Sequence, residues 1–452
     1  MKSKRSVLSI NFIQPTLFIL LFVSFSSCQT TKSIQKTEEQ ITAQNLVTTS
    51  PVFNKNFTGF MLFDPETGDT LAAQFADKYM TPASNTKIYT LYTCIKVLGD
   101  SIPSLRYVIQ GDDLIFWGTG DPTFAHPFFE ETFGENRAVA FLKSWKGGLF
   151  YAPQFNKHRF GDGWAWDDYN GYYSTELSTF PIYSNFIRFR KYKGNEAPTT
   201  IPKYFEPFLN QQNGISKPTR NEIDNTVNHP AYGKDATYSK NIPFKVSNDV
   251  ILELLEEATG KNIQFNWQLT AEMKAKQRTI YSYRTQDVLQ QMMHPSDNFI
   301  AEQLLFVCAS EKNLPLQTAK IIEFATDSLL QNLPDAPVWR DGSGMSRYNM
   351  FTPRSIVHVL NNLYQNIDTA TLFTIFPTGG KSGTIKNLYA GNPPYVFAKT
   401  GTISNNHCLS GYIRTNSGKV LIFSFMNNHY VGSSSVYKAE MKRILEWIRD
   451  NN

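Results

Sequence analysis

Cysteine is scarce, with four in 452 residues. Cys94, Cys308 and Cys408 sit inside apolar segments at spacings that exclude a zinc cluster, and they read as small buried hydrophobes. No disulfide is expected. Histidine is scarce too, with seven. His294, His407 and His429 lie near Ser-Asp-Asn and Lys-Thr-Gly motifs, but no His-Glu-x-x-His run or paired ligand spacing occurs. Neither a metal nor a cofactor is therefore expected. Charge of one sign is lacking: 44 basic against 39 acidic side chains give +5. Residues 1–27 hold three of the basic groups and no acidic one, which leaves +2 for the rest. That balance removes any charge argument for nucleic-acid binding. No internal repeat stands out.

Long apolar runs are also missing. The run Leu17 to Val23 is short and follows Pro15, so it reads as a secretory signal and not as a membrane span. Lys2, Lys4 and Arg5 precede it, and Ser26-Ser27 lead into Cys28. A cysteine after small residues resembles a bacterial lipoprotein cleavage box, with Phe25 where leucine is usual. This implies export to the periplasm and a lipid anchor on Cys28 as the one membrane attachment; plain cleavage with release is the alternative. Residues 28–54, rich in Thr, Gln, Lys and Ser, read as a flexible tether. At 41% hydrophobic and 18% charged, the remainder suits one large or two moderate cores.

The chemistry starts at Thr81-Pro82-Ala83-Ser84-Asn85-Thr86-Lys87-Ile88. Thr81 suits an N-cap and Pro82 the first helical position. Apolar residues at Ile88, Leu91, Tyr92, Ile95 and Leu98 follow with the spacing of one buried stripe. Ser84 thus falls in the first turn, and Lys87 shares its face about 5–6 Å away at Cβ. A serine needs a base to become a nucleophile, and a desolvated lysine can be one. Alone, the pair reads equally as a helix-start serine and a solvated lysine.

Two further motifs change that balance. Ser296-Asp297-Asn298 lies between a helix Thr285 to Met293, stopped by His294-Pro295, and a helix Phe299 to Cys308. Taken alone it is a favoured N-cap sequence. Lys399-Thr400-Gly401-Thr402 follows the apolar run Tyr395 to Ala398 and ends a strand. Lys381-Ser382-Gly383-Thr384 has the same pattern but no apolar strand immediately before it, so it reads as loop. S-x-x-K with S-D-N and K-T-G is the signature of penicillin-binding proteins and class A β-lactamases, and the chain resembles the former in motif order.

The likeness extends further. Gly118 to Thr123, Gly163 to Asp168 with Tyr172-Tyr173, and Asp341-Gly342-Ser343-Gly344-Met345-Ser346-Arg347 resemble class C low-molecular-mass penicillin-binding proteins. These are D-Ala-D-Ala carboxypeptidase/endopeptidases of the penicillin-binding protein 4 type. The resemblance runs from about residue 55 to the C-terminus and is weakest between 190 and 270. It implies Ser84 as nucleophile and Lys87 as base, with Ser296 relaying a proton to the leaving amine. Asn298 would orient the lysine and the substrate amide. Backbone N–H groups of Ser84 and Thr402 would hold the oxyanion. Lys399 and Thr400 suit the terminal carboxylate, and Gly401 leaves room for a peptide alongside the strand. Asp168 is a candidate substrate contact, against a plainer reading as a buried turn-capping residue. Gly118 to Thr123 lacks the Lys-Ser/Thr of a phosphate loop and reads as structural.

The expected fold is α+β. A hairpin (57–63, 70–75), two C-terminal strands (408–415, 419–426) and a closing helix (436–449) form one antiparallel sheet flanked by helices. Residues 55–104 and 267–452 make the transpeptidase-like domain. Residues 105–266, with short alternating runs, make a mainly β insertion. Aromatic content of 14% raises a glycan-binding face, but most such residues alternate in strands and read as core. The expected activity is a serine D-Ala-D-Ala carboxypeptidase, with D,D-endopeptidase activity, acting on peptidoglycan stems and trapped by β-lactams. A serine β-lactamase is disfavoured by the large insertion and the absence of a Glu-x-x-Leu-Asn element. A non-catalytic wall-binding protein is disfavoured by the intact motifs.

Overall fold

The two ends of the chain meet in one sheet. The computed structural model describes residues 42–156 and 158–452; the expected signal and Cys28 lie outside them. Strands β1 (Phe57–Phe63), β2 (Thr70–Gln74), β3 (Val396–Ile403), β4 (Asn406–Arg414) and β5 (Val420–Asn428) pair in the order β3-β4-β5-β1-β2. Every pairing is antiparallel. Helices α1 (Ala43–Thr48), α2 (Lys87–Val97), α3 (Asn298–Glu311) and α4 (Ser434–Asn451) pack around it.

Side-chain alternation divides the sheet between two cores. Leu62, Leu409, Phe423 and Phe425 pack with Met441, Ile444, Leu445 and Ile448 of α4. Phe397, Cys408, Tyr412, Ile422 and Met426 pack with α2, α3 and the helix Pro353–Asn366. Because both faces are covered, β5 is buried along its whole length. The α+β reading holds: an antiparallel sheet with helices on both sides.

Three expectations need correction. The tether does not extend to 54, because α1 and the turn Phe53–Lys55 belong to the fold and bury Val47 and Phe53 in the α4 core. Helix α2 carries no stripe: residues 87–94 are all buried. The split at 105 and 266 does not follow a sheet boundary. A second sheet, ordered 264–265, 149–151, 113–118, 101–110, 278–284, takes strands from both sides of it. The intervening segment also contains the helices Pro127–Phe133, Arg137–Ser144 and Asn248–Thr259. Residues 42–452 form one compact unit.

Gln303 of α3 ties the two sheets' surroundings together. Its amide donates to Gly120 O and Ser178 O, and its carbonyl accepts from Ser178 N. Gly120 is needed there, since a Cβ would stand 2.5 Å from Phe306 Cβ. The Gly118 to Thr123 loop therefore packs against the helix that carries the Ser296 motif.

Candidate active site

The nucleophile turn differs from the expected helix start. Ala83–Thr86 is a 3-10 turn, and the α-helix begins only at Lys87. Thr81 does not cap it. Its N–H donates to Asn428 Oδ1 and its carbonyl accepts from Asn428 Nδ2, pinning it to the end of β5. Ala83 adopts φ +47, an unusual conformation for a residue with a side chain. Two close backbone approaches enforce it. A Cβ on Gly344 would stand 1.9 Å from Ala83 O, and one on Gly401 would stand 2.9 Å from Ser84 N. The side-chain position of Gly401 is thus filled by the nucleophile turn, while the strand that carries it remains the edge strand of the sheet. Asn85 Nδ2 completes the join by donating to Lys399 O at 2.9 Å.

Lys87 is fully buried and makes three contacts. Its Nζ lies 3.2 Å from Ser84 Oγ, 2.7 Å from Asn298 Oδ1 and 2.8 Å from Ser343 O. Asn298 faces the lysine with its oxygen because its Nδ2 donates to Tyr173 O. Burial lowers the Lys87 pKa to about 8, against the opposing pull of Asp341, Glu302 and Asp297. Two of those acids are the residues sequence reasoning missed. Glu302 accepts from the N–H groups of Gly342 and Ser343, and Asp341 from those of Gly344 and Ser346. Burial and Asp341 raise the Glu302 pKa. One signal was available: Glu302 is a charge inside the apolar helix Phe299 to Val307.

A second buried lysine lies near the first. Ser296, at φ +64 between two helices, accepts from Lys399 Nζ at 2.8 Å. Lys399 also donates to Thr400 O. Its pKa falls well below the ordinary value through burial and then the neighbouring Lys87. The Thr400 hydroxyl bonds that of Thr384 at 2.7 Å, so the look-alike 381–384 segment touches the site through its threonine, while Lys381 is exposed. Thr402 Oγ1 bonds His407 Nδ1 at 2.7 Å; burial pushes the His407 pKa down to about 3, which leaves the ring neutral.

These groups border a cleft of about 760 Å³ lined by Ser84, Ser296, Asn298, Thr402, Asp168 and Arg347, among others. Asp168 is accessible on the turn Trp166–Asn170 and accepts from the Tyr173 hydroxyl at 2.7 Å, so it is not the buried cap of the plainer reading. The structure therefore brings all three motifs and Asp168 around one opening. Lys87, Lys399 and Gly401 are buried behind it.

Known proteins resemble this chain along most of its length. It is 25% identical over 413 residues to a D-alanyl-D-alanine carboxypeptidase, DacB, of Haemophilus influenzae, covering 83% of this chain and 86% of that one. It is 26% identical over 461 residues to a D-alanyl-D-alanine carboxypeptidase of Actinomadura sp., covering 88% and 82%. In three dimensions it is similar to penicillin binding protein 4 of H. influenzae, with a TM-score of 0.66, 20% identity, and 90% and 98% of the two chains covered. The profile of the D-Ala-D-Ala carboxypeptidase 3 (S13) family matches residues 40–451, and the chain belongs to this family of serine-type D-Ala-D-Ala carboxypeptidases.

Proposed function

We propose that Ser84 is the acylated nucleophile and Lys87 its base. A neutral amine has two N–H groups and one lone pair. Asn298 Oδ1 and Ser343 O are carbonyl oxygens and can only accept, so they take both N–H groups and leave the lone pair to the Ser84 hydroxyl. This division of contacts is the observation that carries the reading. Ser84 Oγ attacks the carbonyl of the penultimate D-Ala while Lys87 Nζ takes its proton. Backbone N–H groups of Ser84 and Thr402 receive the oxyanion. Ser296, hydrogen-bonded to Lys399, relays that proton: its hydroxyl hydrogen goes to the leaving D-Ala amine and the proton held by Lys87 replaces it, which returns Lys87 to the neutral amine. Lys399 and Thr400 anchor the terminal carboxylate, and Asp168 contacts the stem from the opposite wall. Water then hydrolyses the ester.

The same oxygen opens a β-lactam ring, whose acyl-enzyme is long-lived. Incubation with a fluorescent penicillin tests the assignment: the protein labels and Ser84→Ala does not. Equal labelling of both, or of neither, overturns it. An adduct turned over within seconds would instead mark a β-lactamase, and labelling without D-Ala release from a D-Ala-D-Ala peptide would mark a wall-binding protein.

The reading extends to cross-linked stems, making the enzyme a D,D-endopeptidase too; mass spectrometry of digested muropeptides shows whether cross-linked dimers disappear. Export to the periplasm with a lipid on Cys28 rests on the N-terminal sequence, and Cys28→Ser would release the protein from membranes. Residues 163–173, within the segment 105–266, line the cleft together with the three motifs.

A further inference from the structure

A second pocket, of about 280 Å³, opens beside the catalytic cleft, and Trp164 and Ala165 line both. Trp166 and Tyr169 supply its aromatic surface. Trp166 is 78% exposed, an unusual cost for an indole. The polar groups are Arg159, Arg220, Glu176 and Glu222, two of each sign.

Those polar groups are partly committed. Arg159 and Arg220 both donate to Glu176 Oε1 at 3.2 Å, and Glu176 Oε2 accepts from Val246 N. Arg220 also donates to Tyr169 O and lies over the Tyr169 ring at 5.5 Å. Its side chain is only 2% exposed, yet its Nε is buried without a hydrogen-bond partner among the described residues. A buried donor left unsatisfied is costly, and the residue that carries it lines the cavity. The charges cancel, so the pocket exerts no net pull on an anion or a cation.

A rigid, paired set of arginine and carboxylate groups beside an exposed indole is suited to an uncharged ring that carries hydroxyl and amide groups. Its C–H face stacks on the indole, and its oxygens meet the half-exposed Arg159 guanidinium. We propose that this pocket is a subsite for an N-acetyl sugar of the glycan strand that bears the stem peptide. The proposal rests on the carboxypeptidase reading. A stem of about five residues spans at most about 17 Å when extended, so a sugar at its root lies close beside the cleft that holds its tip. The free amine and carboxylate of a second stem would gain nothing from a charge-balanced pocket, which favours the sugar over another peptide.

The test compares D-Ala release from a free pentapeptide ending in D-Ala-D-Ala with release from the same peptide on an N-acetylglucosaminyl-N-acetylmuramyl disaccharide. The wild-type kcat/KM should be about fivefold or more higher for the sugar-bearing substrate. Trp166→Ala should erase that preference and keep the free-peptide rate, which also shows that the variant folds. Trp166→Phe should retain most of it. Equal wild-type rates on the two substrates, or a parallel loss on both in Trp166→Ala, overturn the subsite and leave the carboxypeptidase reading standing. Turnover of neither substrate overturns both.

Discussion

Two buried lysines face one cleft, and they are supported in opposite ways. Lys87 is surrounded by Asp341, Glu302 and Asp297, which offset part of its burial and leave its pKa about 8. The charge acting on Lys399 is Lys87 itself, which is repulsive and adds to burial. The acids thus poise Lys87 close to working pH, where a base exchanges protons most usefully. Burial and Lys87 both disfavour the charged form of Lys399, and in the proposed reaction the terminal carboxylate of a stem peptide would offset that.

The sharpest way to break this comparison is to remove each amine. Lys87→Met should lower acylation by penicillin by about 10³-fold or more, through kcat. Lys399→Met should leave Ser84 acylable and raise KM for the peptide more than it lowers kcat. Identical kinetic splits would abolish the distinction. Next in size is Gly401→Ala, whose methyl would meet Pro82 O at 2.5 Å and Ser84 N at 2.9 Å. Pushing β3 off the nucleophile turn should slow acylation about 10²-fold and cost about 1–3 kcal/mol in denaturant titrations.

Titration sharpens the contrast further. Acylation should rise with pH through about 8, as Lys87 loses its proton. Glu302→Gln removes a carboxylate that holds that proton, so the acid limb should move to lower pH. It also sets an amide NH₂ against one of two backbone N–H groups, at about 1–3 kcal/mol of stability. For Lys87 the folded value lies below the unfolded 10.5, so its burial disfavours folding below about pH 8. That penalty fades as pH rises from 8 to 10.5. Against Lys87→Met, the wild-type melting temperature should therefore gain over this window. On the Lys399 side, binding a D-Ala-terminated peptide to Ser84→Ala should take up a proton, seen by calorimetry in buffers of differing ionisation heat. The smallest effect belongs to Thr384→Val, which frees the Thr400 hydroxyl and should raise KM about threefold.

Local signals in the sequence were reliable where neighbours agreed with them. β1 spans 57–63 as expected, and the helix 285–293 ends where His294-Pro295 stops it. What escaped depends on distant partners. The 3-10 turn at Ser84 is imposed by Gly344 and Gly401, hundreds of residues later, against alanine's own preference for helix. Thr384 looked like part of a decoy because its pairing with Thr400 exists only in three dimensions. Residues 42–55 have a tether's composition, and it is Ala43, Val47 and Phe53, buried in the core, that reveal that they dock. Gly401 was noticed for lacking a side chain, but which backbone occupies that space is a matter of strand placement.

Phe57 pairs with Asn428, so the first strand waits for the last one. Synthesised N-terminus first, the polypeptide holds Ser84 long before Lys399 and β5 arrive to brace it. A truncation that removes β5 should therefore silence the hydrolase even though every catalytic motif is still encoded.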